Sequence, residues 1–166
     1  MKEILQQFAA YNIWANQKII DTLLLLPPSD LNKEVESSFN TLTKSVYHVW
    51  SAEAIWIQRL GLIEHPNWIE KTFLGSFKEG TILWQKASKD LMLFIEKQYH
   101  DAAFEHVVQY NDRKGQMQKN RVGDVLLHVF NHSTFHRGQM ITQLRQVGAK
   151  TIPNTDLIAF ARLTKK

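Results

Sequence analysis

Three histidines at intervals of four residues, His128, His132 and His136, lie within VLLHVFNHSTFHRGQMITQ, residues 125–143. Nothing else in the chain restricts its fold and chemistry as tightly. On an α-helix, residues i and i+4 are about 40° apart around the axis and one turn apart in height, so successive members of this series point the same way. Two imidazoles so placed can close on one metal ion, which is how the HExxH helix works. With His128 set at zero, His132 falls at about 40° and His136 at about 80°. Val125 falls at about 60°, Val129 at about 100° and Met140 at about 120°. The histidines therefore share the sector of the apolar stripe. The spacing alone leaves two readings open: metal ligands, or core imidazoles bonded to backbone carbonyls. The metal reading requires a third ligand from elsewhere. Arg137 falls at about 180°, pointing away from that sector, where a structural salt bridge or helix-end contact is expected. Gln139, at about 20°, and Gln143, at about 60°, share the histidine side. Interhelical hydrogen bonding is their expected role, with orientation of a bound water or co-substrate as the functional alternative.

The histidine helix is expected from about Arg121 to Val147, stopped by Gly148. Three more helices are expected before it. Lys2–Leu26 has Leu5, Phe8, Asn12, Ile19 and Leu23 on one face and ends at Pro27 and Pro28. Asn12 in that stripe reads as a buried hydrogen-bonder, and Trp14, on another face, as cover for a neighbouring helix. Ser29–Asn40 is a polar crossing. The second helix, Thr41–Leu62, starts after a cap at Asn40 or Thr41 and places His48, Ala52, Ile55 and Trp56 within about 100° of one another. Glu64–Phe77 reads as a loop and Lys78–Tyr99 as the third helix. Phe104–Tyr110, the turn Asn111–Gly115 and Gln116–Asn120 form a short β-hairpin. After Pro153, a short amphipathic helix is capped by Asn154 or Thr155. His65 and His100 are read as surface residues and His106 as an exposed strand residue.

These elements give an all-α four-helix bundle, with a short β-hairpin before the last long helix and a short C-terminal helix, in one domain over residues 1–166. The opening residues lack the continuous apolar core of a signal peptide or membrane span, so a cytoplasmic protein without a membrane partner is expected. The net charge of +4 comes from dispersed residues and forms no dense basic stripe, so nucleic acid is not an expected partner. Cysteine is absent, which removes disulfides, thiolate ligands and any protein thiol nucleophile.

Four segments carry a family resemblance. They are Tyr11-Asn12 with Trp14-Ala15-Asn16, His48 within SVYHVWSAEAIWIQRL, the run from His128 to Gln139, and Thr155-Asp156-Leu157-Ile158. The H-x3-H-R-G-Q core is the most specific, and the others occur in the right order. Over nearly its full length the chain resembles the DinB/YfiT-like family of bacterial four-helix-bundle metalloenzymes. That resemblance implies a divalent metal ion held by one histidine of the second helix and two of the fourth, at His48, His132 and His136. His128 matches a family histidine that is not a ligand and is expected to pack or support the site, replacement of one of the three being the alternative. Phe39-Asn40 departs from the pattern, since a small residue or glycine is expected before the second helix.

Three neutral imidazoles suit zinc or nickel, with Fe(II) or Mn(II) held less tightly, and leave an open coordination position. The resemblance also implies a chemistry, since its characterised branches include S-transferases that use a low-molecular-weight thiol such as bacillithiol, and a related mycothiol-dependent isomerase. The expected function is thus metal-dependent transfer of a small thiol to a small electrophilic substrate. The alternative is a non-catalytic metal-binding or stress-response protein. A homodimer is a further expectation of the resemblance.

Overall fold

The computed structural model describes residues 1–164. In chain order the elements are α1 (Lys2–Leu23), the one-turn α2 (Pro28–Leu31), α3 (Leu42–Leu60), the one-turn α4 (Ile69–Thr72) and α5 (Phe77–Glu96). A 3₁₀ turn (Asp101–Glu105) then leads into β1 (Val107–Asn111), β2 (Met117–Arg121), α6 (Val122–Val147) and α7 (Leu157–Thr164).

Local chemistry sets the ends of these helices. Pro28 does more than stop the first helix, because it occupies the first turn of α2, where its missing N–H costs nothing. Thr41 caps α3 by accepting from the Lys44 N–H at 3.2 Å. Ser76 and Glu79 form a reciprocal capping box on α5. Gly148 closes α6 in the left-handed region at φ 86°, a conformation that a Cβ would strain. The hairpin pairs Val107 with Arg121 through to Asn111 with Met117. Asp112 organises its turn by accepting from the Lys114 and Gln116 N–H groups at 2.8 and 2.9 Å.

Helices α1 and α3 each pack against both α5 and α6, so α1 lies diagonal to α3, and α5 to α6. The polar crossing after α1 and the hairpin segment before α6 therefore connect diagonal corners of the bundle. At Gly80 a Cβ would lie 2.8 Å from the Tyr47 ring, so glycine is what lets α5 come this close to α3. The Trp14 ring covers α7 through Phe160, at 5.7 Å between centroids. Tyr11 Oη ties down the same tail by donating to the Thr155 carbonyl at 2.7 Å.

The apolar interior comes as two clusters. One gathers Ile19, Leu23, Leu42, Val46, Trp84, Met140 and Leu144. The other gathers Leu5, Ala9, Leu91, Ile95, Phe104, Val129 and Phe130. Between them in sequence along α1, α3, α5 and α6 lie Asn12, Asn16, Glu53, Ser88, Ser133 and Arg137, all buried. Among the described residues no helix is long and apolar enough to cross a membrane.

Candidate metal centre

The buried arc of α6 is wider than the histidine spacing implies. Leu126, Leu144, Arg137 and Phe130 are all buried. On the same angular scale Leu126 and Leu144 sit at about 160°, Arg137 at about 180° and Phe130 at about 200°. The core therefore faces about 130°, so the histidines climb into it one turn at a time. His128 is exposed, His132 half-buried and His136 only 7% exposed.

Helix α3 brings His48 to the same place. His48 Nε2 lies 3.2 Å from His132 Nε2. The three rings of His48, His132 and His136 are mutually adjacent, with centroids 4.4–5.1 Å apart. One ring nitrogen from each falls within 4.8 Å of the other two, close enough to hold a metal ion. Tetrahedral zinc with Zn–N bonds of about 2.0–2.1 Å sets its ligand nitrogens about 3.3 Å apart, close to the His48–His132 spacing.

The hydrogen bonds around the cluster fix which nitrogens face inward. His48 Nδ1 sits 2.8 Å from Glu70 Oε1, and a carboxylate oxygen accepts, so Nδ1 carries the proton. His136 Nδ1 sits 2.8 Å from Gln139 Oε1, another acceptor. Both rings thus keep a bare Nε2. Gln139 is anchored in turn by donating to Ser38 Oγ at 3.0 Å. The Phe39 ring stacks on His48 at 4.2 Å between centroids, and the Gln143 amide donates to the Phe39 carbonyl at 2.6 Å. The departure from the family pattern at Phe39 therefore supplies a wall of the cluster. Gln143 also accepts from Ser45 Oγ at 2.7 Å, the interhelical role expected for it.

Burial, followed by the nearby His136, His48, His128 and Arg113, pushes the His132 pKa down to about 3. Burial also lowers His136, partly opposed by its bond to Gln139, and it lowers His128. His132 is thus neutral near pH 7, and its Nδ1 is buried without a hydrogen-bond partner. Neutral imidazoles with converging lone pairs are what a divalent cation needs.

The other histidines stay apart from the cluster. His128 packs edge-on against Trp56 and borders the site at 5.8 Å from the His132 ring. His65, His100 and His106 are exposed.

Arg137 corrects the sequence reading. It lies inside the bundle, 1% exposed, and makes no salt bridge among the described residues. Its Nη1 donates to Asn12 Oδ1 at 2.6 Å and to Asn16 Oδ1 at 2.7 Å. The two amides in turn donate to Glu53 Oε1 at 2.8 and 3.0 Å. Ser133 and Ser88 complete the Glu53 shell at 3.0 and 2.6 Å. The buried cation and anion therefore communicate through two side-chain amides, and Asn12 is the structural hydrogen-bonder expected.

Sequence reasoning passed over Glu53, Glu70 and Arg59. Glu53 carried a signal, as a single carboxylate among Ala, Ile and Trp on α3. Glu70 carried none, because it lies on α4, inside a stretch read as loop.

A bundle with diagonal helix order and three histidines converging from α3 and α6 defines a class of helical proteins with a potential metal centre. The DinB family model matches residues 1–166, and the chain belongs to the DinB family. Protein DinB of Bacillus subtilis is 29% identical over 164 residues, covering 93% of this chain and 92% of that one. A DinB-like protein from Bacillus cereus superposes with a TM-score of 0.70 at 22% identity, covering 92% of this chain and 95% of that one. YfiT from Bacillus subtilis, described as "a probable metal-dependent hydrolase with an unusual four-helix bundle topology", superposes with a TM-score of 0.68 at 15% identity, covering 89% and 90%.

Proposed function

We propose that this protein is a divalent-metal-dependent enzyme that transfers a low-molecular-weight thiol to a small electrophile. His48, His132 and His136 hold the metal ion. The observation that carries the reading is the convergence of three imidazoles within 4.8 Å, two of them oriented by acceptors on the far side of the ring. Zinc or nickel suits this all-nitrogen set best.

The bound ion supplies Lewis acidity that lowers the pKa of a thiol or water and so favours its anion near neutral pH. Each unit of such lowering favours the thiolate by about 1.4 kcal/mol. The chain's own residues do the rest. Glu70 and Gln139 hold the His48 and His136 rings in the tautomer that offers Nε2. The Phe39 ring stacks on His48, and the Phe135 ring packs edge-on against His136. A cleft of about 260 Å³ borders His48 and His132 and gives a substrate access from the hairpin side. The absence of cysteine fits a sulfur nucleophile that arrives from outside. In a substitution, the thiol proton leaves to solvent, the sulfur pair forms the new S–C bond, and the leaving group departs with its own pair.

A second reading uses water in place of the thiol. It is favoured by YfiT, whose description is of a metal-dependent hydrolase on the same fold. One experiment separates the two. Protein purified without an affinity histidine tract is expected to carry about one divalent ion per chain, and His132→Ala to carry none. The metal-loaded protein is then given chlorodinitrobenzene with a panel of cellular thiols, and esters without thiol. Metal-dependent conjugation supports the transferase, ester cleavage supports the hydrolase, and metal binding with neither supports a non-catalytic metal-binding role.

A further inference from the structure

The cleft beside the histidines has a second chemical character at its other wall. Arg59, near the end of α3, is 8% exposed. Its guanidinium lies 4.7 Å from the Trp56 ring, 4.4 Å from Tyr110 and 5.7 Å from Trp68. Nη2 donates to the Asn111 carbonyl at 2.8 Å, while Nε is buried with no partner. Arg59 makes no ion pair among the described residues. Arg113, from the hairpin turn, lies over the Trp68 ring at 4.6 Å. Its Nη2 makes a long contact of 3.6 Å to Glu70 Oε2. Asp112 is the carboxylate lining the same cleft, and both its oxygens are engaged within the turn by Lys114, Gln116 and Gln118.

A buried cation is costly unless something compensates for it, and here the nearby Asp112 charge does so without a direct ion pair. Three aromatic faces supply part of that compensation. An anion would supply more, because the guanidinium fork matches a carboxylate in geometry as well as charge. The rings add flat walls for a planar group. We infer that the cleft binds a small planar molecule bearing a carboxylate, with the anion held by Arg59 and Arg113 and the body against the aromatic side chains that line the cleft. His48 and His132 border the same cleft, so the reacting end of such a molecule faces the histidine cluster. The inference names the substrate class of the metal-dependent reaction proposed above and rests on that reading for its catalytic meaning.

Arg59 also has a purely structural role available, as a staple between α3 and the hairpin through Asn111. The test must move something that a staple would not. Benzoate and benzamide are nearly isosteric and differ in charge. Their binding to metal-free and zinc-loaded protein is measured by calorimetry, with metal content determined separately. Benzoate is expected to bind at least about tenfold more tightly than benzamide in both forms. Arg59→Gln should abolish that preference and leave benzamide binding within about twofold. Arg113 is 59% exposed on its side chain, so Arg113→Gln should fold regardless of Arg59 and lower benzoate affinity about threefold without affecting benzamide. Equal binding of the two probes, a preference seen only with zinc bound, or a preference that survives Arg59→Gln would overturn the inference. Anion preference without metal binding would sink the proposed enzyme and leave the cleft assignment standing. Metal binding without the preference would do the reverse.

Discussion

Helix α6 carries two polar clusters on adjacent faces, and they are built on opposite principles. Ser133 and Arg137 face inward to the network of Glu53, Asn12, Asn16 and Ser88. There most donors and acceptors match: Glu53 accepts four bonds, and each asparagine both accepts from Arg137 and donates to Glu53, with Arg137 Nε left over as a buried donor. His132 and His136 face the other cluster with His48, where the protons of two rings point outward and bare nitrogens point in. A network satisfied to this degree from within specifies packing. Such converging ring nitrogens suit a cation, which would replace the hydrogen bond between His48 Nε2 and His132 Nε2. Burial of polar groups is common to both, so burial does not mark the candidate site. Convergence of ring nitrogens from two helices does.

The comparison breaks most visibly if the closed network is opened. Glu53→Ala leaves the Arg137 cation in the core with its amide relay disconnected, and a loss of about 3–5 kcal/mol is expected from urea unfolding of the metal-free protein. A loss below about 1 kcal/mol would show that the network is decoration and the contrast false.

Cutting the open cluster should act in the other sense. His132→Ala is expected to change the metal-free stability by no more than about 1 kcal/mol, since the ring leaves a half-buried position with an unsatisfied nitrogen. What disappears is the stabilisation by zinc, about 2.7 kcal/mol at an ion concentration one hundred times the Kd. Thermal melts with and without zinc would measure it.

These two clusters also differ in how far the sequence exposes them. The helices were legible because apolar residues recur at helical spacing and Thr41 and Gly148 mark two of their ends, whereas the Ser76 cap was read as loop. His132 and His136 were legible for the same reason, being one turn apart on one helix. His48 needed the family resemblance, because its approach to them depends on how α3 packs against α6. Arg137 was misplaced because a long cation outside the apolar stripe is ordinarily a solvent-facing residue. Its burial is made tolerable by partners on other elements, the Tyr11 ring and Glu53 joined through the amides of α1, together with Thr134 on its own helix. Glu70 and Arg59 gain their roles from α4 and from the hairpin, segments with no helical periodicity to announce where they fold back.

Glu70 sharpens the contrast at its edge. Glu70→Gln replaces the acceptor of the His48 Nδ1 proton with an amide, and its oxygen can still accept, though more weakly. A fall of about tenfold to one hundredfold in zinc affinity is expected from competition with a chromophoric chelator. An unchanged affinity would mean that packing by Phe39 alone orients the ring.

A further effect is on the pH dependence of the metal-free protein. The His132 pKa is about 3 in the folded chain against an ordinary value of 6.5. Between those values the unfolded chain binds more protons than the folded one, so stability rises with pH across the window. The contribution is complete above pH 6.5, is lost as the pH falls, and levels off near 3. His136 and His128 are lowered in the same direction and add to the slope. Melting temperatures of metal-free protein should therefore fall between about pH 7 and pH 5, and His132→Phe should flatten that fall. Ser133→Ala, one position along the same helix but in the closed network, should lower the whole curve without changing its slope, because a hydroxyl does not titrate there. If His132→Phe and Ser133→Ala shift the curve in parallel, proton balance does not distinguish the two faces of α6. The cluster would then be an ordinary set of solvated imidazoles, with no preference for a cation built into it.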